Sequence, residues 1–335
     1  MTNLMKKALF SAATGGLVVL SFLFAASATP AETLAQERAT VVIVVGAPGE
    51  DEFGKAFSQW SASWEKAVSQ SGAKLLTIGL KPLPGATDHE GLRQALEGEP
   101  KEGGNELWLV LIGHGTFDGK EAKFNLRGPD FSATELAAWL KPFRRPVAVI
   151  NTASASGPFI NKLSAEGRVL VTATRSGFEQ NYARFGQYLS EAITDPQADL
   201  DKDGQTSLLE AFLIASRRVA EFYQVEGRLA TEHALIDDNG DGLGTPADWF
   251  RGIRAVKKAK DGAGLDGARG HQFHLIRTDS ERNLPAVVRA KRDELELGVA
   301  KLRESRSQMD EDDYYRRLEK LLLEMAQLYE AVPER

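Results

Sequence analysis

Cysteine is absent from all 335 residues. That absence removes disulfides, thiolate nucleophiles, cysteine-held metals and a lipid-modified leader at once. Basic runs are missing too. Lys and Arg are spread along the chain, the formal net charge is −6 and the pI is about 5.6. Proteins that bind nucleic acid gather positive charge on one face, so this balance argues against such a partner. Histidine occurs only 5 times, which leaves few bases to weigh. What remains is ordinary: 42% hydrophobic and 26% charged residues suit one large core or one core with an appendage, and a chain this long needs no disulfide to hold it.

The longest uncharged stretch lies near the start. Lys6 and Lys7 are positive, Ala8 to Ala28 is uncharged and mostly apolar, and Ala26-Ser27-Ala28 is a small-x-small cleavage signature. These features predict a signal peptide over residues 1–28 and an exported chain, periplasmic or extracellular, without membrane attachment after cleavage. An uncleaved anchor is the alternative, because the stretch approaches the length of a span; Gly15, Gly16 and several Ser and Thr weaken it.

Beyond the leader, apolar runs alternate with amphipathic ones. "ATVVIVVGA" (39–47), "AKLLTIGL" (73–80), "ELWLVLIGHG" (106–115), "RPVAVINT" (145–152) and "GRVLVTATRSG" (167–177) read as buried strands. Helices are predicted at Asp51–Ser71, Gly91–Leu96, from Ser132 to Leu140, Tyr182–Ile193 and Leu208–Val225, and "FDGKEAKFNLRG" reads as a hairpin. Strands alternating with helices predict an α/β fold with a mostly parallel sheet over 39–194. A helical region with acidic loops follows over 195–250, then a mixed linker or strand segment over 251–285. A helical hairpin over 286–332 carries Leu318, Leu321, Leu322, Met325, Leu328 and Tyr329 on one face, as an appendage or as a surface for self-association.

"DLDKDGQTSLLE" matches the twelve-residue calcium loop of an EF-hand. Asp199, Asp201 and Asp203 supply carboxylates at positions 1, 3 and 5, and Gly204 permits the turn at position 6. Gln205 offers its backbone carbonyl at 7, Ser207 stands at 9, and Glu210 closes the loop at 12. A hard cation needs this density of oxygen, and without one the acids repel. "DDNGDGLGTPAD" is a weaker second match, with Asp237, Asn239, Asp241, Gly242, Thr245 and a shorter closing Asp248. Thr245-Pro246 also reads as a plain helix start.

Gly113-His114-Gly115 follows the third strand, where α/β sites form. The next strand delivers Thr152-Ala153-Ser154-Ala155-Ser156-Gly157 to the same edge. This ordered pair resembles the caspase-fold cysteine peptidases over about residues 39–194, and most of all the legumain branch, whose second strand ends Glu-Ala-Cys-Glu-Ser-Gly. The resemblance implies that His114 matches the catalytic histidine, Gly115 the oxyanion-hole glycine and Ser154 the catalytic cysteine. The flanking acids of that branch are Thr152 and Ala155 here, and Glu50, Asp51 and Glu52 stand where legumains place a pocket arginine. A serine hydroxyl does not ionise as a thiol does, so it needs an oriented base. Asp118 is near enough in sequence to orient His114.

Three readings follow. The first is a calcium-binding pseudopeptidase that holds a peptide or protein in the old cleft. The second is a serine-dependent hydrolase with a His114–Ser154 dyad. The third is a calcium-stabilised scaffold. His233 reads as a helix residue, and His271 and His274 as neighbours on a strand face that suggest a zinc pair without a third ligand.

Overall fold

The computed structural model describes residues 38–260 and 263–330; the expected leader lies outside them. Strand β1 (Thr40–Val45) leads to helix α1 (Asp51–Ser71), which ends at Gly72 with φ 70°, a conformation glycine adopts freely. Strand β2 (Lys74–Ile78) and helix α2 (Asp88–Gly98) follow. The apolar pattern starts α2 at Gly91, but Thr87 and Glu90 form a capping box that starts it at Asp88. Strand β3 (Leu107–Ile112) runs to the Gly-His-Gly turn. Beyond it β4 (Gly115–Phe117), β5 (Ala122–Phe124) and β6 (Phe131–Ser132) make a small antiparallel sheet. Helix α3 (Ala133–Leu140), strand β7 (Val147–Asn151), helix α4 (Pro158–Leu163), strand β8 (Arg168–Thr172), helix α5 (Phe185–Ala192) and helix α6 (Leu208–Val225) continue the alternation. Strands β9 (Leu235–Asp237) and β10 (Thr245–Pro246) complete a seven-stranded sheet of order β10-β9-β8-β7-β3-β1-β2. The pairs from β2 to β8 are parallel, and β9 and β10 are antiparallel additions.

Period-2 alternation divides each central strand between two faces. Val41 and Ile43 of β1, Trp108 and Val110 of β3 and Val169 and Val171 of β8 pack under α1, α5 and α6. Val42, Leu109, Val149 and Leu170 pack under α2, α3 and α4. Burying such side chains contributes about 1.5–3 kcal/mol each, which makes this double-faced layer the main source of stability.

The C-terminal third departs from the sequence reading. Strands β11 (Phe250–Arg251) and β12 (Arg254–Ala255) form a short ribbon, and 263–278 is a strap with one 3-10 turn at Gly270–Gln272 and no strand. The strap is held where Leu208 N–H donates to Phe273 C=O at 2.8 Å and where Phe273 and Leu275 enter the core. Helix α7 (Asp279–Asn283) precedes the hairpin of α8 (Ala286–Glu304) and α9 (Glu311–Glu330). Leu322 and Tyr329, expected to share the inner face, are 49% and 46% exposed. No helix among the described residues is long and apolar enough to cross a membrane.

Two glycines test this packing. A Cβ on Gly157 would lie 2.5 Å from the Arg175 carbonyl carbon and 2.6 Å from Ser176 N, whereas a Cβ on Gly98 meets nothing within 4 Å. Gly157→Ala is expected to cost about 1–3 kcal/mol in denaturant unfolding and Gly98→Ala to be neutral or slightly stabilising. Equal midpoints for the two variants would contradict the close approach at Gly157.

Candidate functional site

Parallel strands share one C-terminal edge, so the turns after β3 and β7 meet there. Gly113 and Gly115 are small because the hairpin crosses that edge closely. A Cβ on Gly113 would sit 2.9 Å from the Phe124 ring, and one on Gly115 would sit 2.3 Å from the Ser154 carbonyl oxygen. Ala155 holds a left-handed φ of 54°, a conformation that costs about 1–2 kcal/mol. Its N–H donates to the Glu179 carbonyl at 2.8 Å.

Ser154 is 4% exposed. Its hydroxyl donates to the Gly115 carbonyl at 3.2 Å and accepts from the Gly115 N–H at 3.3 Å. The N–H that the resemblance assigns to an oxyanion hole is therefore occupied by the serine itself. His114 is ringed by Phe53, Phe57 and Tyr182 at centroid distances of 4.9, 5.1 and 6.2 Å. Its Nε2 lies 3.2 Å from the Pro48 carbonyl. A carbonyl only accepts, so Nε2 carries a proton and Nδ1 holds the lone pair of the neutral ring. Burial pushes the His114 pKa below its ordinary value and that of Tyr182 up to about 12, so both are neutral at pH 7. No hydrogen bond joins His114 to Ser154.

Asp118 does not orient the imidazole. It sits exposed in the β4–β5 turn, where its carboxylate accepts from Lys120 and Glu121 N–H at 2.9 and 2.8 Å. The Pro48 carbonyl takes that role, and a backbone group after a strand leaves no side-chain signal in sequence. At the rim, Phe178 is 76% exposed and meets Phe117 edge-on at 5.2 Å. His233 lies outside any helix and pairs with Glu179 at 2.6 Å.

The two acidic loops share one backbone pattern. Asp199 accepts from Lys202 and Gly204 N–H at 2.6 and 3.1 Å, and Asp237 accepts from Gly240 and Gly242 at 3.2 and 3.1 Å. Asp201 accepts from Asp203 and Asn239 from Asp241, at 3.3 and 2.9 Å. Asp203 accepts from Gln205 and Asp241 from Leu243, both at 2.8 Å. Positions 4 and 6 are left-handed in both, with φ 65° and 88° at Lys202 and Gly204 and 81° and 74° at Gly240 and Gly242.

Closure is where the second loop departs from expectation. In the first, Glu210 Oε1 accepts from Leu200 and Asp201 N–H at 2.7 and 3.3 Å while Oε2 accepts the Ser207 hydroxyl at 2.8 Å. Asp248 does not do this in the second: it is exposed on the 3-10 turn Ala247–Trp249. Thr245 pairs with Ile236 as β10, which carries the chain away instead of turning it into a helix. Asp266, from the strap, closes the loop. Its Oδ1 accepts from Asp238 and Asn239 N–H at 3.0 and 3.3 Å, and its Oδ2 accepts the Thr245 hydroxyl at 2.6 Å. An acid among the glycines of "GLDGARG" was the only available hint.

Carboxylate oxygens of Asp199, Asp201 and Asp203 lie within 4.8 Å of one another, a spacing that suits a hard divalent cation. Burial pushes the pKa values of Asp237, Asp238 and Asp266 upward, and the Asp238 charge pushes Asp266 further. The Gln205 side chain reaches Asp203 at 3.3 Å and accepts from Thr278 N–H. The first loop is left by α6, but α5 stops at Ala192 and a 3-10 turn, Pro196–Ala198, stands between it and the loop. His271 and His274 lie on and just after the strap's turn, not on a strand. His271 Nε2 is 2.9 Å from Asp201 Oδ2, and His274 Nε2 is buried without a partner.

No family model matches the chain, and no curated protein matches it. Solved structures do. The initiator caspase Dronc of Drosophila is 13% identical, covers 60% of this chain and 80% of its own, and has a TM-score of 0.40. Caspase-1 from Spodoptera frugiperda is 12% identical, with 60% and 87% covered and a TM-score of 0.39. Protein GSU0716 from Geobacter sulfurreducens is 11% identical, with 59% and 92% covered and a TM-score of 0.39. At these scores the neighbours assign no residue a role, and neither branch nor activity follows from them.

Burial pushes the His274 pKa down to about 4 from 6.5. Between those values the folded ring stays neutral while the unfolded chain takes a proton, so stability falls as pH drops through that window. The loss is about 3 kcal/mol at its low end. Melts in EDTA from pH 7 to 4 are expected to flatten in His274→Gln; an unchanged slope would contradict the neutral burial.

Proposed function

We propose that this chain is an exported, calcium-stabilised protein whose caspase-like domain binds a peptide or protein segment without cleaving it. One observation carries the reading: the Ser154 hydroxyl is buried and engaged twice by the Gly115 peptide. A nucleophile must give its proton to a base and present its lone pair to a carbonyl carbon. Ser154 gives its proton to a backbone carbonyl that cannot serve as a base, and it fills the donor an oxyanion would need. The exposed ring of Phe178 beside Phe117 supports a binding role for the rim, because a large exposed aromatic is a common anchor for a partner. Serine hydrolysis is the second reading, favoured by His114 Nδ1, which the Pro48 contact leaves free to accept.

Exposure to a fluorophosphonate probe, read by intact mass, separates the two. No adduct is expected on the folded, calcium-loaded chain. An adduct on Ser154 that disappears in His114→Ala would establish the hydrolase.

Calcium is proposed for both loops. Asp199, Asp201, Asp203 and Glu210 serve the first, with Ser207 and the Gln205 carbonyl. Asp237, Asn239, Asp241 and Asp266 serve the second. An ion bound only by the folded chain stabilises it by about 2.7 kcal/mol at a hundredfold excess over Kd. Asp266→Asn is expected to lower the calcium stoichiometry from two to one by titration calorimetry and to reduce the calcium-induced rise in Tm. Asp248→Asn is expected to change neither, and the reverse result would return the closing role to Asp248.

A further inference from the structure

The chain is acidic overall, yet one cavity is not. It measures about 890 Å³ and lies among the α3–β7 loop, α4, the start of β8 and the strap. Lys141, Arg144, Arg145, Lys162, Arg168 and Arg269 line it, with Glu166 as the one acid among its lining residues. Arg145 is paired with Glu99, and the other five cations form no ion pair with a carboxylate among the described residues.

Two of the cations are fixed rather than loose. Arg168 donates to the carbonyls of Leu163 and Leu140 at 2.8 and 2.6 Å, and Arg144 donates to that of Lys141 at 3.1 Å. Those bonds hold the guanidinium groups in place without neutralising them. Arg168 is also partly buried, and the neighbouring Arg144 charge repels it, so burial and repulsion both lower its pKa. Lys141, Arg144 and Lys162 are exposed and Arg168 and Arg269 half-buried; like charges gathered this closely repel, most of all the half-buried pair, unless an anion joins them. Arginine forks match the oxygens of phosphoryl groups, lysines add point charge, and the volume falls within the range of small-molecule sites.

We propose that this cavity binds a ligand bearing two or more phosphoryl groups. The site lies at the edge of the sheet where β7 and β8 begin, away from His114 and Ser154, and it stands apart from the reading of the cleft. The phosphoryl groups come either from a soluble compound or from lipid headgroups.

The test uses the full calcium-loaded chain. Fructose 1,6-bisphosphate, with glucose as control, is titrated by calorimetry at 50 and 300 mM salt. Vesicles of phosphatidylcholine with and without phosphatidylglycerol are sedimented in parallel. Bisphosphate binding that weakens at high salt identifies a soluble source; binding to anionic vesicles alone identifies a headgroup. The variant Lys141→Gln/Lys162→Gln/Arg269→Gln is expected to lose at least tenfold in either affinity while its melting curve stays in place. A control of equal charge, Lys55→Gln/Lys66→Gln/Arg93→Gln, is expected to keep the affinity. No binding of either probe, or equal loss in both variants, would overturn the proposal.

Discussion

A sheet buried on both faces is the constraint that the rest of this molecule obeys. Strands β1, β3 and β7 have no residue open to solvent along their length, so no chemistry can sit on the sheet itself. Every polar feature is pushed to an edge. The turns after β3 and β7 occupy the C-terminal edge. The second acidic loop hangs from β9, which runs antiparallel to β8 from Leu235 beside Thr172 to Asp237 beside Leu170, and so leaves toward the opposite edge. The fold thus separates a cleft from the side that carries the second acidic loop by the length of a strand.

The strap ties the second side together. Asp266 reaches one loop and His271 the other, while Asp238 accepts from Gly267 and Gly270 N–H at 2.9 and 2.6 Å. Four residues of a segment with no regular strand therefore answer to two acidic loops. Cations in those loops would order the strap and, through Phe273 and Leu275, the face of the core it covers. On the other side the turns after β3 and β7 bring His114 and Ser154 to one edge, but each is engaged elsewhere. His114 is oriented by Pro48 and Ser154 is spent on Gly115, so the geometry is neighbourly and the proton path is broken.

Much of this was legible in the residues, and the limits have physical causes. The Val-rich run of β1 and the twenty-one residues of α1 announce themselves because burial on one face imposes a period. Asp199 to Glu210 is readable because its oxygens come from a single run of twelve residues. Asp266 is not, because its partners stand 21 to 28 residues away and a single sequence carries no record of such pairing. Asp248 misled for the same reason: the loop pattern is local, but strand pairing by Thr245 decides where the chain goes next. The cationic cavity is invisible along the chain because its charges come from three separate segments, each unremarkable alone.

The most direct measurement is a crystal structure of the chain grown in calcium, with the ions located by anomalous scattering. The result expected is one ion within Asp199–Glu210, a second ligated by Asp237 and Asp266, and the Ser154 hydroxyl still on the Gly115 peptide. Loops without ions, or a Ser154 hydroxyl turned onto His114 Nδ1, would contradict a calcium-stabilised domain that binds without cutting.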